Sequence, residues 1–182
     1  MITNHNNFLK LAFNIAKINL GKTSLNPSVG CVVVKNQSVI SSGFTSLNGR
    51  PHAEFNALNK KKNFKNSDLY VTLEPCSHVG KTGSCAEFIV KKGFKKVIIG
   101  AIDPNPLVSG KGIKILEENN VKVISGIHKE LVESQNSFFF FKHKNRRPYI
   151  ILKIASSLDG KSHFDNGERT IITSQRKQGE IV

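Results

Sequence analysis

The sequence predicts a layered α/β domain built on one central sheet. Two observations carry that expectation. Short β-branched runs alternate along the chain with segments whose apolar residues recur at helical spacing. No apolar run approaches the ~20 residues of a membrane-crossing helix, so the apolar content is core material. A chain of 182 residues has room for one such domain plus a fragment of another, and it can bury a core without cross-links.

Taken in order, Phe8, Leu11, Ala12, Ile15 and Ile18 place an amphipathic helix over residues 5–20. Asn26-Pro27 marks a turn. Residues 29–34 read as a buried strand, and 39–44 as its neighbour after a turn at Asn36-Gln37. The loop Asn48-Gly49-Arg50-Pro51 leads into a helix over 52–62, with Pro51 suited to its start. Residues 68–73 form the next strand, which Pro75 stops. A loop over 77–83 follows, then a helix over 85–92 that ends at Gly93. A strand at 97–101, the turn-rich Asp103-Pro104-Asn105-Pro106, a helix at 111–119, a strand at 121–124 and a helix at 129–141 complete the alternation. The basic stretch 142–147 before Pro148 sets a boundary. Residues 1–145 are expected to form one domain and 146–182 to open a second, with a strand over 149–154.

The net charge is +14. It suits a ligand or nucleic acid that carries phosphate. It also suits a chain rich in Lys, Asn and Ile, whose scattered cations at 60–62, 91–96 and 142–147 mark solvated surface. Residues 1–7 are polar and hold no apolar signal core, so a cytoplasmic protein is expected. Three cysteines, an odd number, argue against a disulfide framework and leave metal binding or burial. Cys31 lies in an apolar strand and reads as packing. His5, His128, His143 and His163 have no evident partners and read as surface residues.

His52, Cys76 and Cys85 remain. One imidazole and two thiolates make a three-ligand zinc site whose fourth position is open to water. Zinc lowers the pKa of such a water from ~15.7 toward ~7, which makes hydroxide available at neutral pH. Glu54, two residues from His52, can stand beside the metal without binding it and pass the water's proton onward. Taken alone, Glu54 also fits an ordinary carboxylate at a helix start.

His52-Ala53-Glu54 with Pro75-Cys76 resembles the H-x-E and P-C signature of zinc-dependent deaminases. Eight residues separate Cys76 from Cys85, however, where nucleoside and tRNA deaminases usually have two. The wide loop Cys76-Ser77-His78-Val79-Gly80-Lys81-Thr82-Gly83-Ser84-Cys85 resembles that of the bifunctional riboflavin-biosynthesis deaminase/reductases. So do Asn26-Pro27-Ser28-Val29-Gly30-Cys31-Val32, Thr72-Leu73-Glu74-Pro75-Cys76-Ser77-His78, and Asp103-Pro104-Asn105-Pro106 followed by Val108, Gly110, Lys111 and Gly112. Arg147-Pro148-Tyr149, Leu152-Lys153 and Ser157-Leu158-Asp159-Gly160-Lys161 resemble the opening of the family's reductase half. The resemblance covers nearly the whole chain.

It implies a three-layer α/β/α cytidine-deaminase-like domain with a mixed central sheet, followed by the first fragment of a dihydrofolate-reductase-like domain. It implies one zinc per chain on His52, Cys76 and Cys85, with Glu54 as the catalytic proton carrier. The substrate implied is a phosphorylated pyrimidine, 2,5-diamino-6-(5-phosphoribosylamino)pyrimidin-4(3H)-one, met by Asn26, Lys81 and Asn105 and, in the second domain, by Arg169. Ser156 and Ile171 fall near NADPH-contacting positions, but NADPH is expected only in a full-length reductase, and no reductase activity is expected of the fragment. His78 shapes the loop, and Asp103 reads as structural. A homo-oligomer is implied, with no nucleic acid or membrane as partner. Two departures bear on substrate contacts more than on zinc. Thr45 stands where the family often has a histidine, and Thr82-Gly83-Ser84-Cys85 replaces its commoner T-P-P-C. A tRNA or nucleoside deaminase, which the positive charge favours, and a non-catalytic basic RNA-binding protein with a structural metal remain as alternatives.

Overall fold

The computed structural model describes residues 2–77, 83–163 and 166, and it divides into two units, Met1–Pro148 and Tyr149–Val182. In the first unit the order is α1 (Ile2–Ala16), β1 (Gly30–Lys35), β2 (Ser38–Phe44), α2 (Ala53–Leu58), β3 (Asp68–Leu73), α3 (Cys85–Lys91), β4 (Lys96–Ala101), α4 (Lys111–Glu118), β5 (Lys122–Ser125), α5 (Lys129–Gln135) and α6 (Ser137–Asn145). Short 3₁₀ turns lie at Lys17–Asn19 and Leu47–Gly49.

The five strands form one mixed sheet in the order β2-β1-β3-β4-β5. β1 runs antiparallel to both β2 and β3, while β3, β4 and β5 are parallel. The middle strands are apolar on both faces because helices cover both. Cys31 and Val33, Leu69, Val71 and Leu73, and Val97, Ile99 and Ala101 face the larger core, with Ala53, Ala57 and Leu58 of α2, Ile89 of α3 and Leu116 of α4. Val32 and Val34, Tyr70 and Ile98 face Leu9 and Ala12 of α1. Alternation at period two thus divides each middle strand between two helical layers. Two glycines allow close approach. A Cβ at Gly30 would lie 1.9 Å from the Ala12 carbonyl oxygen, and one at Gly43 would lie 2.4 Å from the Ala57 nitrogen of α2.

Element types follow the sequence expectation through the first unit, but two helices differ in extent. The helix expected over 52–62 stops at Leu58. The helix expected over 129–141 breaks at Asn136, whose amide is spent on another segment. His5 is no bare surface residue, because its Nδ1 lies 2.8 Å from the Tyr70 hydroxyl.

The second unit, Tyr149–Val182, is described only to residue 163 and at 166. The strand expected over 149–154 is not formed. Ile150 and Leu152 are 82% and 81% exposed. A lone strand leaves its amides and carbonyls unpaired, and no described residue of this unit supplies a neighbouring strand. A turn closes at 157–161, where the Ser157 N–H donates to the Lys161 carbonyl and the Ser157 hydroxyl to Asp159. No helix among the described residues is long and apolar enough to cross a membrane.

Candidate metal centre

The ends of three elements meet here. His52 is the N-cap of α2, in extended geometry. Cys76 follows β3 after Glu74-Pro75, where proline ends the ladder. Cys85 opens α3. Their ligand atoms all lie within 4.8 Å of one another, and among the described residues they are the one His/Cys/Asp/Glu group so arranged.

The spacing tests the site for zinc. Tetrahedral bonds of ~2.05 Å to nitrogen and ~2.3 Å to sulfur put those atoms about 3.5 Å apart. His52 Nδ1 lies 3.6 Å from Cys76 Sγ and 3.4 Å from Cys85 Sγ. The donor set and its distances therefore fit a zinc ion with three protein ligands. The three groups are hydrogen-bonded to one another as they stand. The hydrogen bond from Cys85 holds the Cys76 thiol well below its ordinary range, and that same bond with Cys76 pushes Cys85 up. His52 is raised by its hydrogen bond with Cys76. The Cys85 N–H, at the start of α3, also points at Cys76 Sγ over 3.4 Å.

Ser84 replaces the second proline of the family's commoner motif, and it has its own work. Its hydroxyl donates to the Cys76 carbonyl at 3.0 Å and accepts from the Glu87 N–H at 3.3 Å, which caps α3. This ties the helix carrying Cys85 to the turn carrying Cys76.

Glu54 lies in the first turn of α2 and is 4% exposed. Burial pushes its carboxyl up to about 7, against the lowering effect of His52. It lines a cleft together with His52, Cys76, Asn26, Thr45, Arg50, Asp103, Asn105 and others. The sequence-predicted Asn26 and Asn105 are thus brought to the site, and each also stitches a loop. Asn26 Nδ2 donates to the Gly49 carbonyl at 3.2 Å, and Asn105 Oδ1 accepts from the Leu107 N–H at 3.1 Å. Thr45 is 2% exposed, and its hydroxyl accepts from the Val29 N–H at 3.0 Å.

Ser156 is exposed in the second unit. His78, Lys81, Arg169 and Ile171 lie outside the described residues. Cys31 is fully buried in the core. A roomier cavity, about 540 Å³, lies elsewhere among His5, Asn36, Asp68, Tyr70 and Lys96, and holds none of the predicted site residues.

Sequence reasoning missed several members. Arg50 and Phe139 line the cleft without a sequence signal. Glu74, directly after β3, was missed as well, because its partners lie 29 to 39 positions further along the chain. Asn136 carried no signal, yet its side chain pairs with both backbone groups of Ser28, beside Asn26-Pro27.

Comparison with known proteins agrees with this geometry. Residues 2–101 match the model of the cytidine and deoxycytidylate deaminase zinc-binding region. The chain is 44% identical over 169 residues to riboflavin biosynthesis protein RibD of Bacillus amyloliquefaciens, covering 92% of this chain and 46% of that protein. Among solved structures, RibD of Acinetobacter baumannii superposes with a TM-score of 0.89 at 40% identity, over 98% of this chain and 50% of the other. A Thermotoga maritima structure titled diaminohydroxyphosphoribosylaminopyrimidine deaminase/5-amino-6-(5-phosphoribosylamino)uracil reductase superposes with a TM-score of 0.85 at 39% identity, over 97% and 52%. The chain spans about half the length of the curated relatives it matches.

Proposed function

This chain belongs to the cytidine and deoxycytidylate deaminase zinc-binding family, and from that premise we propose that it hydrolyses the exocyclic amine of 2,5-diamino-6-(5-phosphoribosylamino)pyrimidin-4(3H)-one, releasing ammonia. The observation that carries the reading is the convergence of His52, Cys76 and Cys85 at zinc spacing, with His52 and Cys76 lining one cleft together with the buried carboxyl of Glu54. The printed names of the relatives, which concern riboflavin biosynthesis, direct the choice among amine-bearing rings.

His52 Nδ1 and the two sulfurs would hold the ion. When bound, zinc supplies a hydroxide at neutral pH by lowering the pKa of water to ~7. Glu54 accepts the water's proton on its carboxylate and delivers it to the ring nitrogen; it then takes the proton of the added hydroxyl as the carbonyl forms and passes it to the departing amine, which leaves as ammonia. A carboxyl held near neutral by burial is suited to both directions of transfer. Asn26 and Asn105 meet the polar edge of the ring with whatever hydrogen-bonding capacity their loop bonds leave. Lys81 supplies the cation for the sugar phosphate, and Arg50 adds a second at the cleft. Residues 146–182 would open a reductase domain in which Ser156 and Ile171 meet NADPH and Arg169 meets substrate. Deamination is therefore the activity to assay.

The test is ammonia release from this pyrimidine by the purified chain, with zinc measured in the same sample. Glu54→Gln should keep its zinc and lose activity by about 10²- to 10⁴-fold. Activity left near wild type in that variant, or ammonia released from tRNA and not from the pyrimidine, would contradict the reading.

A further inference from the structure

The Glu74 side chain enters the cleft wall but takes no part in the chemistry above. It is 3% exposed, and both of its oxygens are occupied by backbone amides. Oε2 accepts from the N–H of Asp103 at 3.2 Å and of Gly110 at 3.0 Å. Oε1 accepts from the N–H of Gly112 at 3.0 Å and of Ile113 at 3.3 Å. Gly110 is the N-cap of α4, and Gly112 and Ile113 lie in its first turn. The remaining amide there, that of Lys111, donates to the Val108 carbonyl. One carboxylate therefore satisfies most of the donors that a helix start leaves open, and it also grips the far end of the loop at Asp103.

That loop, residues 103–110, carries Asn105 into the cleft. The residue gripping it is two positions before Cys76. Two further contacts join the same pieces. The Glu74 N–H donates to the Ala101 carbonyl, extending the parallel ladder. A Cβ at Gly112 would lie 2.0 Å from the Pro75 carbonyl oxygen, so α4 sits directly on the turn that precedes Cys76.

We propose that Glu74 is a positioning residue: it clamps both ends of the 103–110 loop to the Cys76 turn and so fixes Asn105 at a set distance from the metal centre. This rests on the deamination reading above for the identity of what Asn105 meets. A carboxylate suits the task because it alone offers acceptors to four N–H groups. Hydrogen bonds to an ionised acceptor are stronger than those between neutral groups. An amide of the same shape would turn a donor toward two of them.

Glu74→Gln in the full chain tests the clamp. The amides of Asp103, Gly110, Gly112 and Ile113 should exchange their hydrogens about tenfold faster or more, with the strand amides unchanged. Zinc content should stay at the wild-type level. KM for the diaminopyrimidine ribosylamine phosphate should rise about tenfold, with kcat changing less than about threefold. Because Glu74 acts through Asn105, the double variant with Asn105→Ala should be no worse than Asn105→Ala alone. If the glutamine variant does not fold, Glu74→Asp carries the same cycle. A lower melting temperature with unchanged KM would mean a structural cap only and would overturn the proposal. So would additive effects in the cycle, or loss of zinc. Wild-type protein that releases no ammonia from this substrate sinks the functional reading instead; the local exchange pattern then decides for or against the clamp.

Discussion

Asp103 shows how a single buried group ties the cleft to pH. Its Oδ1 accepts from the Asn105 N–H at 2.8 Å, and it is 7% exposed. Burial pushes its carboxyl up to about 6, although the Asn105 hydrogen bond works the other way. The ordinary value is 3.8. The folded chain thus holds this proton more tightly than the unfolded chain. Its contribution to stability is fully present below pH ~4 and is lost as pH rises through ~6. Asp103→Asn keeps the acceptor oxygen and removes the charge. Relative to wild type, the variant should gain about 2 kcal/mol between pH 4 and pH 7. Urea unfolding at equal metal loading measures it, and a difference that stays flat with pH contradicts the account. The grouping of His52, Cys76 and Cys85 near Glu54 was legible in the sequence because histidine, cysteine and glutamate in short motifs carry recognisable chemistry. Glu74 was not, because its partners are backbone amides 29 to 39 positions further on.

At the scale of elements, the central strands were legible because apolar runs buried on both faces have few other uses. The helix break at Asn136 was not. Asn136 Oδ1 accepts from the Ser28 N–H at 2.7 Å, and its Nδ2 donates to the Ser28 carbonyl at 3.1 Å, across 108 residues. The pair imitates one rung of an antiparallel ladder and holds the strand entry beside Asn26. Local periodicity carries no trace of so distant a partner. Asn136→Ala leaves two buried backbone groups unpaired and should cost about 2–4 kcal/mol in urea unfolding. A loss under about 1 kcal/mol would mean that water replaces the amide there. The departure at Ser84 belongs to this scale too. Ser84 starts α3 with a hydroxyl cap that also bonds the Cys76 turn.

Across the whole molecule, the sheet places the site. β3 is where pairing changes from antiparallel to parallel, and Cys76 and the 103–110 loop leave the carboxyl ends of β3 and β4. Crevices beyond those ends are where open α/β sheets bind ligands. The core that supports the site lies within Met1–Pro148. A chain ending at Pro148 should therefore bind zinc as the full chain does and melt within about 5 °C of it. Insolubility or loss of zinc in that shorter chain would show that the later residues complete the fold. The strand expected over 149–154 marks the limit of sequence reading. Its apolar pattern is real, but a strand exists only beside another. The central claim is a zinc held by His52, Cys76 and Cys85 with one position left for water. X-ray absorption at the zinc edge measures it most directly: two sulfurs at ~2.3 Å and two lighter atoms at ~2.0 Å, with one sulfur lost in Cys85→Ser. A shell of four sulfurs, or one without sulfur, would contradict it.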